Sequence, residues 1–252
     1  MAYKTNVNIK KFGYFKTDRT RKIFLFDTEV SIYNVLSLEG KDFSNKVKIL
    51  TVELISLFDG SSLPDHLFML NVIAVRVFNE KKLSKHLKIL KVLLVNNFKG
   101  DNLPVTLATL EVKHCKNFIG NKLPENLEAL KVESCENFLG NKLPIKLEYL
   151  DVFKCQKFTG NNLSDTLLGL TVDENPAFVG NKLPNGLKMI VVFGCGNFIE
   201  DNIPTHLKKY NMILGKVFIC HNPPRRLLTL RYRFYEVFNF YKLIKQIQID
   251  RL

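Results

Sequence analysis

Residues 117–138 read NFIGNKLPENLEALKVESCENF, and the stretch closes on the Asn-Phe pair that opened it, twenty residues on. The interval holds along most of the chain. Phe58, Phe78, Phe98, Phe118, Phe138, Phe158, Phe178, Phe198, Phe218 and Phe238 all keep it. So do Leu67 through Leu227, Leu50 through Ile190, and Val52 through Val192, each read every twentieth residue. A globular core draws its apolar residues from irregular intervals. A fixed short period instead means identical small units, each unable to bury its apolar face alone and each covered by the next. The chain is therefore read as a solenoid.

Within one unit, Leu130 and Val132 alternate with Lys131 and Glu133. A two-residue period places alternate side chains on opposite faces of a half-buried strand. The spacing predicts about ten parallel strands near residues 48–53, 68–73, 88–93 and onward to 228–233. Val30, Ile32, Val35 and Leu38 fit the register as one degenerate earlier rung. After each Phe come Gly-Asn pairs such as Gly120-Asn121 and Gly140-Asn141, residues that tolerate positive φ and favour turns. Leu-Pro pairs such as Leu123-Pro124 follow, with proline holding the residue before it extended. Too little chain remains for a return helix, so the return is expected to be extended or a single 3₁₀ turn. The predicted fold class is mainly β, a parallel solenoid of short rungs. Its division is a basic N-terminal cap at 1–27, the solenoid at 28–233 and a C-terminal cap at 234–252. Phe234, Val237, Phe238, Tyr241, Ile244 and Ile247 suit either a short amphipathic helix or a truncated last rung.

The unit L-x-x-L-x-V-x-x-C-x-x-F at 127–138 is close to the leucine-rich-repeat pattern. With Asn117-Phe118-Ile119-Gly120 and Leu123-Pro124 ahead of it, the sequence resembles the FNIP repeats of social amoebae and giant DNA viruses. The resemblance covers roughly residues 43–233. Its Leu-Pro-x-x-Leu-x-x-Leu-x-Val part is also similar to the twenty-residue leucine-rich repeats of bacterial effector proteins, which lack the Phe-x-Gly-Asn element. Either resemblance implies a leucine-rich-repeat-like binding scaffold, and the first implies a host-cytoplasmic or, if viral, a virion setting.

The net charge of +13 is unevenly spread. Residues 1–22 carry seven Lys/Arg against Asp18, and residues 205–252 carry ten against Glu236 and Asp250, while the body between is close to neutral. A neutral body does not supply the basic stripe that tracks nucleic acid. The ends, through Arg19, Arg21 and Lys22 and through Arg225, Arg226, Arg231 and Arg233, could meet an acidic protein, nucleic acid or an anionic surface. They could equally be solvated caps that keep the stack from associating end to end. Apolar runs are short and interrupted by charge, which argues against a membrane span. No signal-like apolar segment follows Met1, so an intracellular location is expected.

Cys115, Cys135, Cys155 and Cys195 share one column with Val95 and Asn175. A position that accepts all three residue types reads as an interior filler. Cys220 lies off the column, and no C-x₂₋₄-C pair suggests zinc. His66, His86 and His206 share a variable, solvent-facing position. No nucleophile, base and orienting group can be assembled, and no phosphate-binding, zincin or nucleophile-elbow motif is present. The expectation is a non-enzyme without cofactor or metal. Binding is expected on the outward strand positions, which vary where the core columns do not. Apolar bulk there at Ile73, Leu93, Leu94, Tyr149, Phe153, Met189 and Phe193 is expected to be exposed. The favoured patch is Tyr149, Asp151, Phe153, Asp173, Met189, Val191 and Phe193, taking a protein partner. The alternatives are a structural component of a large assembly such as a giant-virus capsid, docked through edges and basic ends, and nucleic-acid binding by those ends.

Overall fold

In the computed structural model, residues 6–8, 29–34, 37–39, 43, 45–60, 63–81, 83–198, 204 and 209–213 are described. They form fourteen strands and no helix. Strand β1 is Asn6–Asn8, β2 Glu29–Tyr33, β3 Ser37–Glu39, β4 Ile49–Glu53, β5 Leu57–Asp59, β6 Met69–Ile73 and β7 Val77–Asn79. There follow β8 Ile89–Leu93, β9 Thr109–Lys113, β10 Ala129–Glu133, β11 Tyr149–Phe153, β12 Gly169–Asp173, β13 Met189–Phe193 and β14 Lys209–Ile213. One long sheet runs β1-β2-β4-β6-β8-β9-β10-β11-β12-β13-β14, and a small one runs β3-β5-β7. Except for β1, every pairing is parallel and offset by twenty residues, as between Leu130 and Leu150 or Val132 and Val152. The fold is a leucine-rich-repeat-like parallel β-solenoid. The first rung begins at β2, where Val30 and Ile32 are buried as the register predicts. Val35, the 228–233 strand, Cys220, His206 and the whole C-terminal cap lie outside the described residues.

The core is a set of ladders. Phe58 to Phe178 are almost fully buried, and successive rings stack at 5.5–6.2 Å between centroids. Beside the rings of Phe118, Phe138, Phe158, Phe178 and Phe198 sits the preceding rung's glycine, whereas Glu80 holds that place before Phe98. A Cβ on Gly140, whose φ is +66°, would stand 2.6 Å from the Phe158 ring, so this position needs both the conformation and the missing side chain. The return contains i→i+3 turns, such as Leu127 N–H to Pro124 O and Phe138 N–H to Cys135 O, each 3.1 Å. No 3₁₀ helix forms among the described residues.

The small sheet stops at β7 for a local reason. The Asn97 side chain accepts from Phe78 N–H at 3.1 Å and donates to Phe78 O at 2.8 Å, so its amide takes the place of the next strand. At the other edge, β1 pairs antiparallel with β2 and occupies the first strand's free hydrogen-bonding side.

A second conformational column was not legible in composition. Asn34, Leu54, Ala74, Leu94, His114, Ser134, Lys154 and Glu174 all have φ between +49° and +59°, and Gly194 has +62°. Each closes its strand. From Asn34 to Glu174, the backbone N–H reaches the carbonyl of the next rung, as His114 to Glu133 O at 2.9 Å. That bond holds residues of any type in a region L-amino acids seldom adopt.

Candidate functional site

Three outward columns make up the open face of the long sheet. Strands β4, β6, β11 and β13 alternate half-buried and buried residues along their length, so Tyr149, Asp151 and Phe153 share the open face while Leu150 and Val152 enter the core. The face divides into two chemistries. Across β8–β11 it is a lattice of ion pairs: Lys91 with Glu111 at 3.5 Å, Lys113 with Glu111 at 3.0 Å and Glu133 at 3.1 Å, and Lys131 with Asp151 at 3.0 Å. These charges neutralise one another along the stack.

Across β11–β13 the charges thin and the side chains grow. Strand β12 carries Gly169, Thr171 and Asp173, in register with Tyr149, Asp151 and Phe153 on one side and Met189, Val191 and Phe193 on the other. Small residues stand between large ones at the two ends of this strand, while Thr171 between Asp151 and Val191 matches its neighbours in size. At its Gly169 end the walls close over the floor: a Cβ there would lie 2.9 Å from the Tyr149 ring and 3.5 Å from Met189 Cε. At its other end stands Asp173, flanked by Phe153 and Phe193.

All seven residues of the expected patch thus fall on one face of three adjacent strands. The expectation of exposed apolar bulk needs correcting. Ile73, Leu93, Tyr149, Phe153, Met189 and Phe193 are half-buried, because neighbours one rung away cover their flanks. Leu94 is exposed, and the other large exposed apolar residues lie off this face or at strand ends: Leu54, Leu57, Phe68, Val77, Val105, Ile119 and Ile145. Arg19, Arg21, Lys22, Arg225, Arg226, Arg231 and Arg233 lie outside the described residues.

The two acids of the patch differ. Asp151 is paired with Lys131, although burial still raises its pKa. Asp173 has no such lysine. Burial, and then the charges of Glu174 and Asp151, push its carboxyl up to about 6 against the weaker pull of Lys154 and of the Glu174 backbone N–H, and its Oδ1 is buried without a hydrogen-bond partner. Two neighbours escaped the sequence reading. Lys154 holds its Nζ 4.7 Å from the centre of the Phe153 ring and 3.4 Å from Glu174. Gly169 supplies the floor that Tyr149 covers. The first depends on the positive φ at Lys154, and the second shows only when the twenty-residue columns are read across rather than down.

The cysteine column lies on the core side. All four thiols are free and buried; burial pushes Cys115 and Cys195 up to about 11, Cys155 to about 12, and Cys135 further. Thiols so strongly held in the neutral form are poor nucleophiles and ligands. His66, His86 and His114 are exposed. Among the described residues, no helix is long and apolar enough to cross a membrane.

No family model and no curated protein matches this sequence. Among solved structures, the chain is similar to the crystal structure of CroV588, a circular leucine-rich-repeat protein, with 21% identity and a TM-score of 0.41. The match covers 68% of this chain and 35% of that one, so the chain spans about a third of that protein's length.

Proposed function

We propose that this chain is a protein-binding scaffold without enzymatic turnover, holding its partner on the open face of β11–β13. The make-up of this face supports the reading. Tyr149, Phe153, Met189, Val191 and Phe193 offer apolar area at the point where the ion-pair lattice ends, and Asp151 and Asp173 lie among them. Anchors of this size, half-covered and set among charges, are the usual make-up of a binding hot spot. Leucine-rich-repeat-like solenoids commonly serve protein–protein interaction, and the Asn-Phe-x-Gly-Asn and Leu-Pro elements support an FNIP-type repeat. The test is a double substitution, Phe153→Ala with Phe193→Ala. Affinity for a co-purifying partner should fall by more than about 2 kcal/mol, with little change in melting temperature, since neither ring belongs to the phenylalanine ladder. A partner retained at full strength by the double variant would overturn the reading.

A further inference from the structure

Resting on that reading of the open face, we infer that the Phe153–Asp173–Phe193 column receives one arginine side chain of the partner, its guanidinium between the two rings and its charge on the Asp173 carboxylate. Three observations converge on this assignment. The three residues are in register on β11, β12 and β13, so the carboxylate lies one rung from each ring. Strands two rungs apart are separated by about 9.6 Å. A flat cation in contact with a ring on each side needs roughly 7 Å between the rings, so binding requires the two rings to lean towards each other.

The slot also has an unmet electrostatic demand. Glu111 Oε2 and Asp173 Oδ1 are both buried without a hydrogen bond, but Glu111, like Asp151 and Glu133, is matched by a lysine of the lattice, whereas Asp173 forms no ion pair among the described residues. The charges around Asp173 are Asp151 and Lys154 from the β11 rung and Glu174 from its own; Phe193 and Gly194 bring none from the β13 side. Oδ1 is screened from solvent, so a ligand meets the rest of the half-buried carboxylate, where a positive donor answers the surplus of negative charge.

A cation already rests on one wall. Lys154 Nζ lies over the Phe153 ring and is held there by Glu174, through a pair whose side chains are both nearly half exposed. An exposed pair of this kind is weak and easily displaced, so Lys154 marks the place that a partner's cation takes over. The planar guanidinium fits better than a second ammonium. It can stack on both rings and present two parallel N–H groups to one carboxylate.

The test titrates N-acetyl-arginine methylamide, and its uncharged citrulline counterpart, into the ¹⁵N-labelled full chain. Saturable shifts centred on the amides of Phe153, Asp173 and Phe193 are expected for arginine, with citrulline about tenfold weaker. The near-isosteric Asp173→Asn should weaken arginine binding about tenfold and abolish its decline on acidification through the carboxyl's titration near about 6. Lys154→Ala should tighten it. Equal binding of arginine and citrulline, an unchanged affinity in Asp173→Asn, or shifts centred elsewhere would overturn the assignment. The co-purification assay separates this failure from that of the scaffold itself. A partner lost with Phe153→Ala/Phe193→Ala but kept at full strength by Asp173→Asn leaves the scaffold standing and removes the arginine. A partner kept by both removes the scaffold.

Discussion

Asn175 occupies the place that Cys115, Cys135, Cys155 and Cys195 occupy on other rungs, and the comparison shows what that place requires. Each thiol lies 3.3–3.4 Å from the carbonyl two residues back and 3.7–3.9 Å from a valine carbonyl of the preceding rung. The Asn175 amide reaches the same two acceptors at 2.6 and 2.8 Å, and its Oδ1 also accepts Cys155 N–H at 2.7 Å. The column is thus an interior donor position facing two buried carbonyls. A cysteine serves it weakly and an asparagine fully. Asn175→Ala strands these groups without water and should destabilise by about 2–3 kcal/mol. Asn175→Cys should lose clearly less, because the thiol still points a hydrogen at the same carbonyls. Urea midpoints of the two variants check the order, and equal losses would contradict it.

At the scale of the element, β12 differs from its neighbours in carrying a carboxylate that is never neutralised by a lysine across the rung. Asp173 titrates at about 6 in the folded chain against an ordinary 3.8. The folded state therefore holds a proton that the unfolded chain has already released. Its contribution is fully present below the ordinary carboxylate range and is lost as pH rises towards about 6. Asp151, also raised, pushes in the same direction. Urea unfolding across this window should show wild-type stability declining with rising pH, and Asp173→Asn should flatten part of the decline. An identical slope in the variant would refute the assignment. The strands themselves were legible in the sequence, since Leu130 and Val132 repeat wherever the chain must bury a face. The shared face was legible too, because alternation sets Tyr149, Asp151 and Phe153 on one side. The left-handed turn closing each strand was not. Leu54, His114 and Lys154 carry no turn signal, and their conformation comes from an N–H bond to the next rung that only the assembled stack supplies. The place of Lys154 over Phe153 follows from that turn and was hidden with it.

At the scale of the molecule, each rung touches only its neighbours, so stability is a sum of rungs and of the interfaces between them. Removing residues 161–180 joins Gly160 to Asn181 and restores the Gly-Asn sequence of the other turns. It brings Phe153 beside Phe193, Cys155 beside Cys195 and Phe158 beside Phe198, with every column intact. The shortened chain should remain folded with a smaller denaturant m-value, and it should lose arginine binding together with Asp173. Removing 161–170 instead shifts Leu and Val out of their columns and should destabilise clearly more than removing the full twenty; equal melting temperatures for the two shortened chains would contradict the rung-by-rung picture. The glycine notches carry a further consequence. Gly100 faces the ring of Phe118, Gly120 that of Phe138, and Gly140 that of Phe158, always the earlier residue accommodating the later. The two ends of a rung are therefore not equivalent. One presents a socket and the other a plug, and the socket comes first in the chain. On a ribosome each finished coil would emerge with its vacancy already shaped, some eighteen residues before the ring that fills it is translated, so synthesis itself supplies the order of assembly.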